Sequence, residues 1–122
     1  MNKIYCLVCF VALPMAAHAA PRVNDFPTVD RVLYVHECMV AHPDIGHFEI
    51  TNKCACAIDA IASEITYDEY VQLSTASKAT TIGGERGSYI RDVEALQAGI
   101  KRYRALQAKT NKACFIGPPT AR

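Results

Sequence analysis

The chain has 122 residues, with 13 basic and 12 acidic side chains, six cysteines, six tyrosines and no tryptophan. Its first nineteen residues read as a removable export signal, which leaves about 103 residues, one small domain. A chain of that length excludes a two-domain enzyme or a (β/α)₈ barrel. It buries only about two-thirds of its surface on folding, so little of it is left to shape a deep catalytic cleft.

At the N-terminus, Lys3 is followed by an apolar run over residues 4–11, a break at Pro14 and the small-x-small group Ala17-His18-Ala19. This is the three-part pattern of a Sec signal. Cleavage after Ala19 makes Ala20 the first mature residue; cleavage after Ala20 is the weaker option, because Pro21 would directly follow the cut. The apolar run is short for a bilayer and no later window approaches eighteen apolar residues, so no membrane span is expected. Cys9 does not suit lipid attachment, since Val8 precedes it and it lies before a complete hydrophobic segment. Cys6 and Cys9 leave with the signal, and the expected compartment is the periplasm. An uncleaved signal anchor is the competing reading.

Residues 20–27, with Pro21 and Pro27, are expected to be an extended lead-in. Thr28 is placed to cap a first helix over residues 29–39, where Val32, Val35 and Cys38 recur at helical spacing. Pro43 blocks its continuation, and residues 42–46 read as a turn. Residues 47–51 form a connector too short for a sheet. Residues 53–65 give the clearest helix, with Asn52 as its cap and Cys54, Ile58, Ile61, Ala62 and Ile65 on one stripe. Thr66-Tyr67-Asp68-Glu69 is a capping box, opening a third helix that runs to Leu73 or Ser74 with Tyr67, Tyr70, Val71 and Ser74 inward. Residues 74–87 stay without assignment up to Gly83-Gly84-Glu85-Arg86-Gly87, read as a turn exposing Glu85 and Arg86. A last helix from Asp92 toward Cys114 carries Val93, Leu96, Ile100, Tyr103, Leu106 and Thr110 at steps of three and four and forms the spine. Gly99 permits close packing, and Pro118 and Pro119 end regular structure. Tyr34, Tyr70 and Tyr103 fall on helical stripes as core-edge residues. The fold class is therefore all-α, a small disulfide-braced bundle of three to five helices.

Four cysteines remain after processing: Cys38, Cys54, Cys56 and Cys114. An even number in an exported chain reads first as two disulfides. Cys54 and Cys56 are two apart at a helix start, so they point about 200° apart and face different partners. Cys38 and Cys114, each near a helix end, bridge one member of the pair each, in an order that spacing leaves open. Thiol–disulfide exchange through the Cys54/Cys56 pair is the competing chemistry; it needs an exposed, acidic thiol and leaves Cys38 and Cys114 unexplained.

His36, Met39, His42 and His47 gather imidazole and thioether groups around the turn, a set that suits copper and makes a periplasmic copper carrier the alternative function. No CxxCH is present for c-type haem. The glycine-rich loop lacks the spacing that cradles phosphate. Asp68 and Glu69 sit side by side at a helix start, whereas glycosidic cleavage needs carboxylates facing one another across a cleft. Ser63 lies four after Asp59 without a histidine fixed nearby, so a serine nucleophile has no support.

After loss of Lys3, basic and acidic residues balance at twelve each, but they segregate. Residues 20–69 hold nine acids against three bases, and residues 70–122 hold three against nine. A basic last helix packed near the acidic half accounts for this as an ordinary solvated face. The sharper reading is a docking surface for an acidic protein, with Arg86, Arg91, Lys101, Arg102 and Arg104 as its residues. Nucleic acid is not expected, because no platform of aromatics interleaves with the bases. The functional expectation is an exported accessory or partner-binding protein, without enzymatic activity and without a cofactor.

Overall fold

The computed structural model describes residues 24–120, apart from the side chain of Arg86. The expected export signal, with Cys6 and Cys9, and Arg122 lie outside the described residues. Five helices follow one another: α1 (Thr28–Val40), α2 (His47–Glu64), α3 (Tyr67–Ala79), α4 (Glu85–Asp92) and α5 (Glu94–Ala113). No strand occurs among the described residues. The chain forms an all-α bundle of five helices braced by two disulfides. α1 packs on α2, and α5 is the spine against which α2, α3 and α4 all pack.

α1 starts at Thr28, one residue earlier than expected. Pro27 occupies the N-cap with φ −58° and ψ 142° and no side chain bonds the first turn; Thr28 is inside the helix. Proline there suits a helix entry, since its ring presets φ and the amide it lacks would have had no partner. At the other end, the amides of Ala41 and His42 bond back to the carbonyls of Glu37 and Met39, and Pro43 stops propagation.

Residues 47–51, expected as a connector, are instead the first turn of α2. Gly46 is the N-cap and accepts from the Ile50 amide at 2.9 Å. Extending the helix by that turn carries Ile50 onto the stripe of Cys54, Ala57, Ile58 and Ile61, where it is buried. Such burial is worth about 1.5–3 kcal/mol, more than the few tenths that the β-branched Ile50 and Thr51 lose in helix propensity. Asn52, expected to cap, lies within the helix and donates to the Phe48 carbonyl at 2.7 Å.

The capping box at α3 is half made. Thr66 Oγ1 accepts from the Glu69 amide at 3.3 Å, but the Glu69 carboxylate turns to Arg102 on α5. α3 also outruns its expected end at Leu73 or Ser74 and continues to Ala79. Small side chains let it lie against α5: Ser74 is buried, and a Cβ at Gly99 would stand 3.0 Å from Leu73 Cδ2. Val71, expected inward, is exposed, and Leu73 packs against the core in its place.

The segment expected as a glycine-rich turn contains α4. Gly84 supplies the entry at φ 74°, a conformation that glycine adopts without strain. Gly87 is tighter still, because a Cβ there would fall 1.9 Å from the Ile82 carbonyl oxygen. Gly87→Ala is expected to unseat the first turn of α4 at a cost of about 1–3 kcal/mol. Hydrogen exchange at residues 85–92 should accelerate about tenfold or more, the kinetic image of such a cost, while α5 keeps its protection; unchanged exchange in α4 would show that the loop yields freely.

α5 begins at Glu94, two residues after the expected start, because Val93 adopts extended backbone and breaks it from α4. It ends in a Schellman arrangement: the Ile116 amide bonds the Asn111 carbonyl at 2.9 Å and that of Phe115 bonds Lys112 at 3.3 Å. Phe115 holds the left-handed position at φ 58°, where glycine is usual.

Two apolar clusters fill the bundle. Phe26, Ile58, Ile61, Ala62, Ile65 and Tyr103 form one, with Tyr34, Tyr67 and Tyr70 packed on it. Ile50, Cys54, Ala57, Cys114 and Ile116 form the other, at the pole where α1 ends, α2 begins and α5 ends. The disulfides run Cys38–Cys54 and Cys56–Cys114, each with Cα atoms 5.9 Å apart. Each member of the Cys54/Cys56 pair thus bridges a different helix end, as expected, and the order that spacing left open is fixed.

Candidate functional site

The residues singled out for chemistry are largely committed to structure. Cys54 is fully buried and bonded to Cys38, and Cys56 is bonded to Cys114, so Cys54 and Cys56 do not form a redox pair with each other. Around the turn, His36 and His47 are exposed whereas His42 is buried. The His42 ring lies between two carbonyl oxygens, Nδ1 2.8 Å from that of Cys38 and Nε2 3.1 Å from that of Gly117. It ties the tail after α5 to the end of α1, and neither nitrogen is turned toward a metal position. Met39 packs against the apolar cluster at that pole, with Sδ 3.5 Å from the Thr51 hydroxyl. Among the described residues no three His, Cys, Asp or Glu side chains converge on a metal position.

The basic face is also partly spent. Arg102 pairs with Glu69 and Lys109 with Glu64, both across to the acidic half. Arg104 donates to the hydroxyls of Thr80 at 2.9 Å and Ser77 at 3.4 Å. Arg91 donates to the carbonyls of Ile82 and Gly84, closing the loop before α4. Lys78 on α3 bridges both oxygens of Glu37 on α1, at 2.7 and 2.9 Å. This is the pattern of a solvated face knitting helices together. Exposed pairs of this kind contribute little each, about 0–1 kcal/mol.

From the segment before α1 across α3 to α5, aromatic rings form a ladder: Phe26, Tyr67, Tyr70 and Tyr103 are in successive ring contact with centroids 5.0–6.4 Å apart. Burial pushes the Tyr34 hydroxyl up to about 12, with nearby Tyr70 adding to the effect. Burial likewise lifts Tyr70 to about 12, helped by the carboxylates of Glu37 and Asp30 and opposed by its hydrogen bond with Tyr103. Tyr103 is raised as well, by burial first. Tyr67 is raised chiefly because its hydroxyl donates to Asp30 at 2.9 Å.

An unfolded tyrosine ionises near pH 10. The stability that these raised hydroxyls lend is therefore whole below about pH 10 and falls as pH climbs through about 12. Tyrosinate absorbance followed together with circular dichroism should show Tyr34, Tyr70 and Tyr103 ionising late and in step with loss of helix. Ionisation of all three near pH 10 in an intact bundle would contradict this.

The feature that the sequence reading passed over is the outer side of α1. This helix has no buried residue, yet Val29, Val32, Leu33 and Val40 stand exposed along it at spacings of three, four and seven. Beside that stripe runs an apolar groove of about 310 Å³ between α1 and α2, lined by Thr28, Val32, Val35, Thr51, Ala55 and Ile58. Arg31, bridged to Asp59 of α2, borders it. Phe48, 83% exposed, stands on the same side of α2, three residues before Thr51 and seven before Ala55. A signal was present in the sequence: apolar residues at 29, 32, 33, 35, 39 and 40 cover more of α1 than one buried face requires. No helix among the described residues is long and apolar enough to cross a membrane. No protein-family model, curated protein or solved structure matches this chain.

Proposed function

We propose that the chain is a small exported accessory protein that acts by binding a protein partner rather than by catalysis. The observation that carries this reading is α1, a helix with apolar side chains on its inner and outer sides and with the outer side uncovered. Contiguous exposed apolar surface on a small domain marks a contact site. The groove beside it adds concave shape, and the Cys38–Cys54 disulfide holds α1 against α2 so that the face is preorganised before contact. The cations expected to receive an acidic protein support the reading less well, since Arg102 already has its acid and Arg91 and Arg104 serve loop and helix ends.

Affinity capture from a periplasmic extract of the cells that make the protein tests this. The wild type is compared with Val32→Glu and Leu33→Glu on the apolar face and with a Lys101→Glu, Arg104→Glu pair on the basic face. Loss of a retained protein in the first two variants alone supports the apolar face. Loss only in the charge-reversed pair moves the site to α5 and an acidic partner. Absence of any specifically retained protein overturns the partner-binding reading.

A further inference from the structure

We infer that the groove between α1 and α2 receives Phe48 of a second copy of this chain, giving a weak two-fold dimer. This rests on the reading that the α1/α2 face binds protein, and it names the occupant. Knob and groove are on the same side of the same molecule. Phe48 is on the stripe of α2 that continues through Thr51 and Ala55 to Ile58, the groove's own wall. A two-fold axis between Phe48 and the groove therefore lets each copy insert a ring into the other, the self-complementary arrangement that closed dimers need. About 150 Å³ is enough to hold a benzene ring, and the groove offers about 310 Å³.

Charge permits the pairing. Arg31 on the groove's border is already neutralised by Asp59, and Lys53 along α2 by Glu49 at 2.6 Å, so neither of these cations faces the incoming copy unpaired. Acidic and basic residues after the signal are equal in number, so no net charge holds two copies apart. Area sets the strength. Each phenylalanine covers roughly 200 Å², and with the valines and leucine of both stripes the contact reaches roughly 1,000 Å² in all, at the low end for specific interfaces. A contact of that size makes a weak, transient dimer, to be sought at roughly 10–1,000 µM protein. Phe48 is the anchor, since a large aromatic filling a pocket dominates such contacts.

The test is sedimentation equilibrium of the protein as processed and purified from its own compartment, over concentrations spanning that range. Wild type should move from monomer to dimer. Phe48→Glu and Val32→Glu should each weaken association at least tenfold while keeping the helical spectrum and both disulfides. In a mixed sample of labelled and unlabelled protein, isotope-filtered NMR should show contacts between the Phe48 ring and the methyl groups of Val32 and Ala55. A monomer at every concentration, a Phe48→Glu protein that dimerises like wild type, or a dimer without those contacts each overturns the inference. If the protein is monomeric yet Val32→Glu still abolishes capture of another protein, the inference falls and the partner-binding reading stands.

Discussion

Replacing Cys56 and Cys114 together with alanine is expected to lower stability by about 4 kcal/mol, the closure entropy of a loop this long. The bridge joins residues 58 apart in sequence, α2 to the end of α5, whereas Cys38–Cys54 spans only 16 within a helical hairpin and should contribute about 3 kcal/mol through the same effect. A domain of this size holds about 5–15 kcal/mol in total, so either loss is a large share of it. Urea unfolding followed by circular dichroism measures the change. A loss below about 1 kcal/mol for the Cys56/Cys114 pair would mean that the unfolded chain is already compact there. The two bridges also differ in access. Each bridge has one buried member, Cys54 and Cys114, but the other is exposed in Cys56 and only half-buried in Cys38, so a mild thiol reductant should open Cys56–Cys114 first by attack at Cys56, a sequence that mass mapping of trapped thiols can read.

Ile61→Ala should cost about 3–4 kcal/mol, within the range for emptying a packed isoleucine site. Ile61 is wholly buried in the last turn of α2, in the cluster that also holds Ile58, Ile65, Phe26 and Tyr103. The aromatic neighbours are pinned by one another and by the Tyr67–Asp30 hydrogen bond, which limits their collapse into the void. Val32→Ala removes a similar kind of side chain from α1, yet its expected effect on the monomer is within about 0.5 kcal/mol, because Val32 is 60% exposed. Equal losses at the two positions, measured by the same urea titration, would show that α1's outer side is covered within the monomer.

Ile61 and Val32 also mark how far the sequence could be read. Both sit on clean helical stripes, but periodicity says only that a side chain shares a face with others, not that the face is covered. On α2 and α5 the two coincide: Ile58, Ile61, Ile65, Ile100 and Tyr103 are all buried where their spacing placed them. On α1 they part, and the outer valines are left to solvent. Tyr34, Tyr70 and Tyr103 were legible as core or core-edge residues. The first turn of α2 and the length of α3 were not, because Ile50, Thr51 and the Ser/Thr-rich stretch after Leu73 carry weak local preferences that packing overrides. α4 was hidden for the opposite reason. Its glycines look like a loop, but Gly84 and Gly87 serve to bring the chain sharply into a helix.

The structural use of His42, Lys78 and Lys109 was illegible for a related reason. Titratable and sulfur-bearing residues attract a chemical reading one by one, and their partners lie far along the chain. His42 meets Gly117 across 75 residues, Lys109 meets Glu64 across 45, and Lys78 meets Glu37 across 41. Each of those contacts converts a possible ligand or docking charge into a brace.

Sequence by itself determined the helical class, the stripes of α2 and α5, the threonine that opens α3 and the fact that Cys54 and Cys56 must seek different partners. All of these follow from the 3.6-residue period and from capping chemistry, which act over a few residues. Only the tertiary structure decided that Cys38 joins Cys54 and Cys56 joins Cys114, which cations are already paired, and that α1 leaves an apolar face and a groove uncovered. Those depend on which distant segments meet, a matter of packing in three dimensions to which local spacing carries no key.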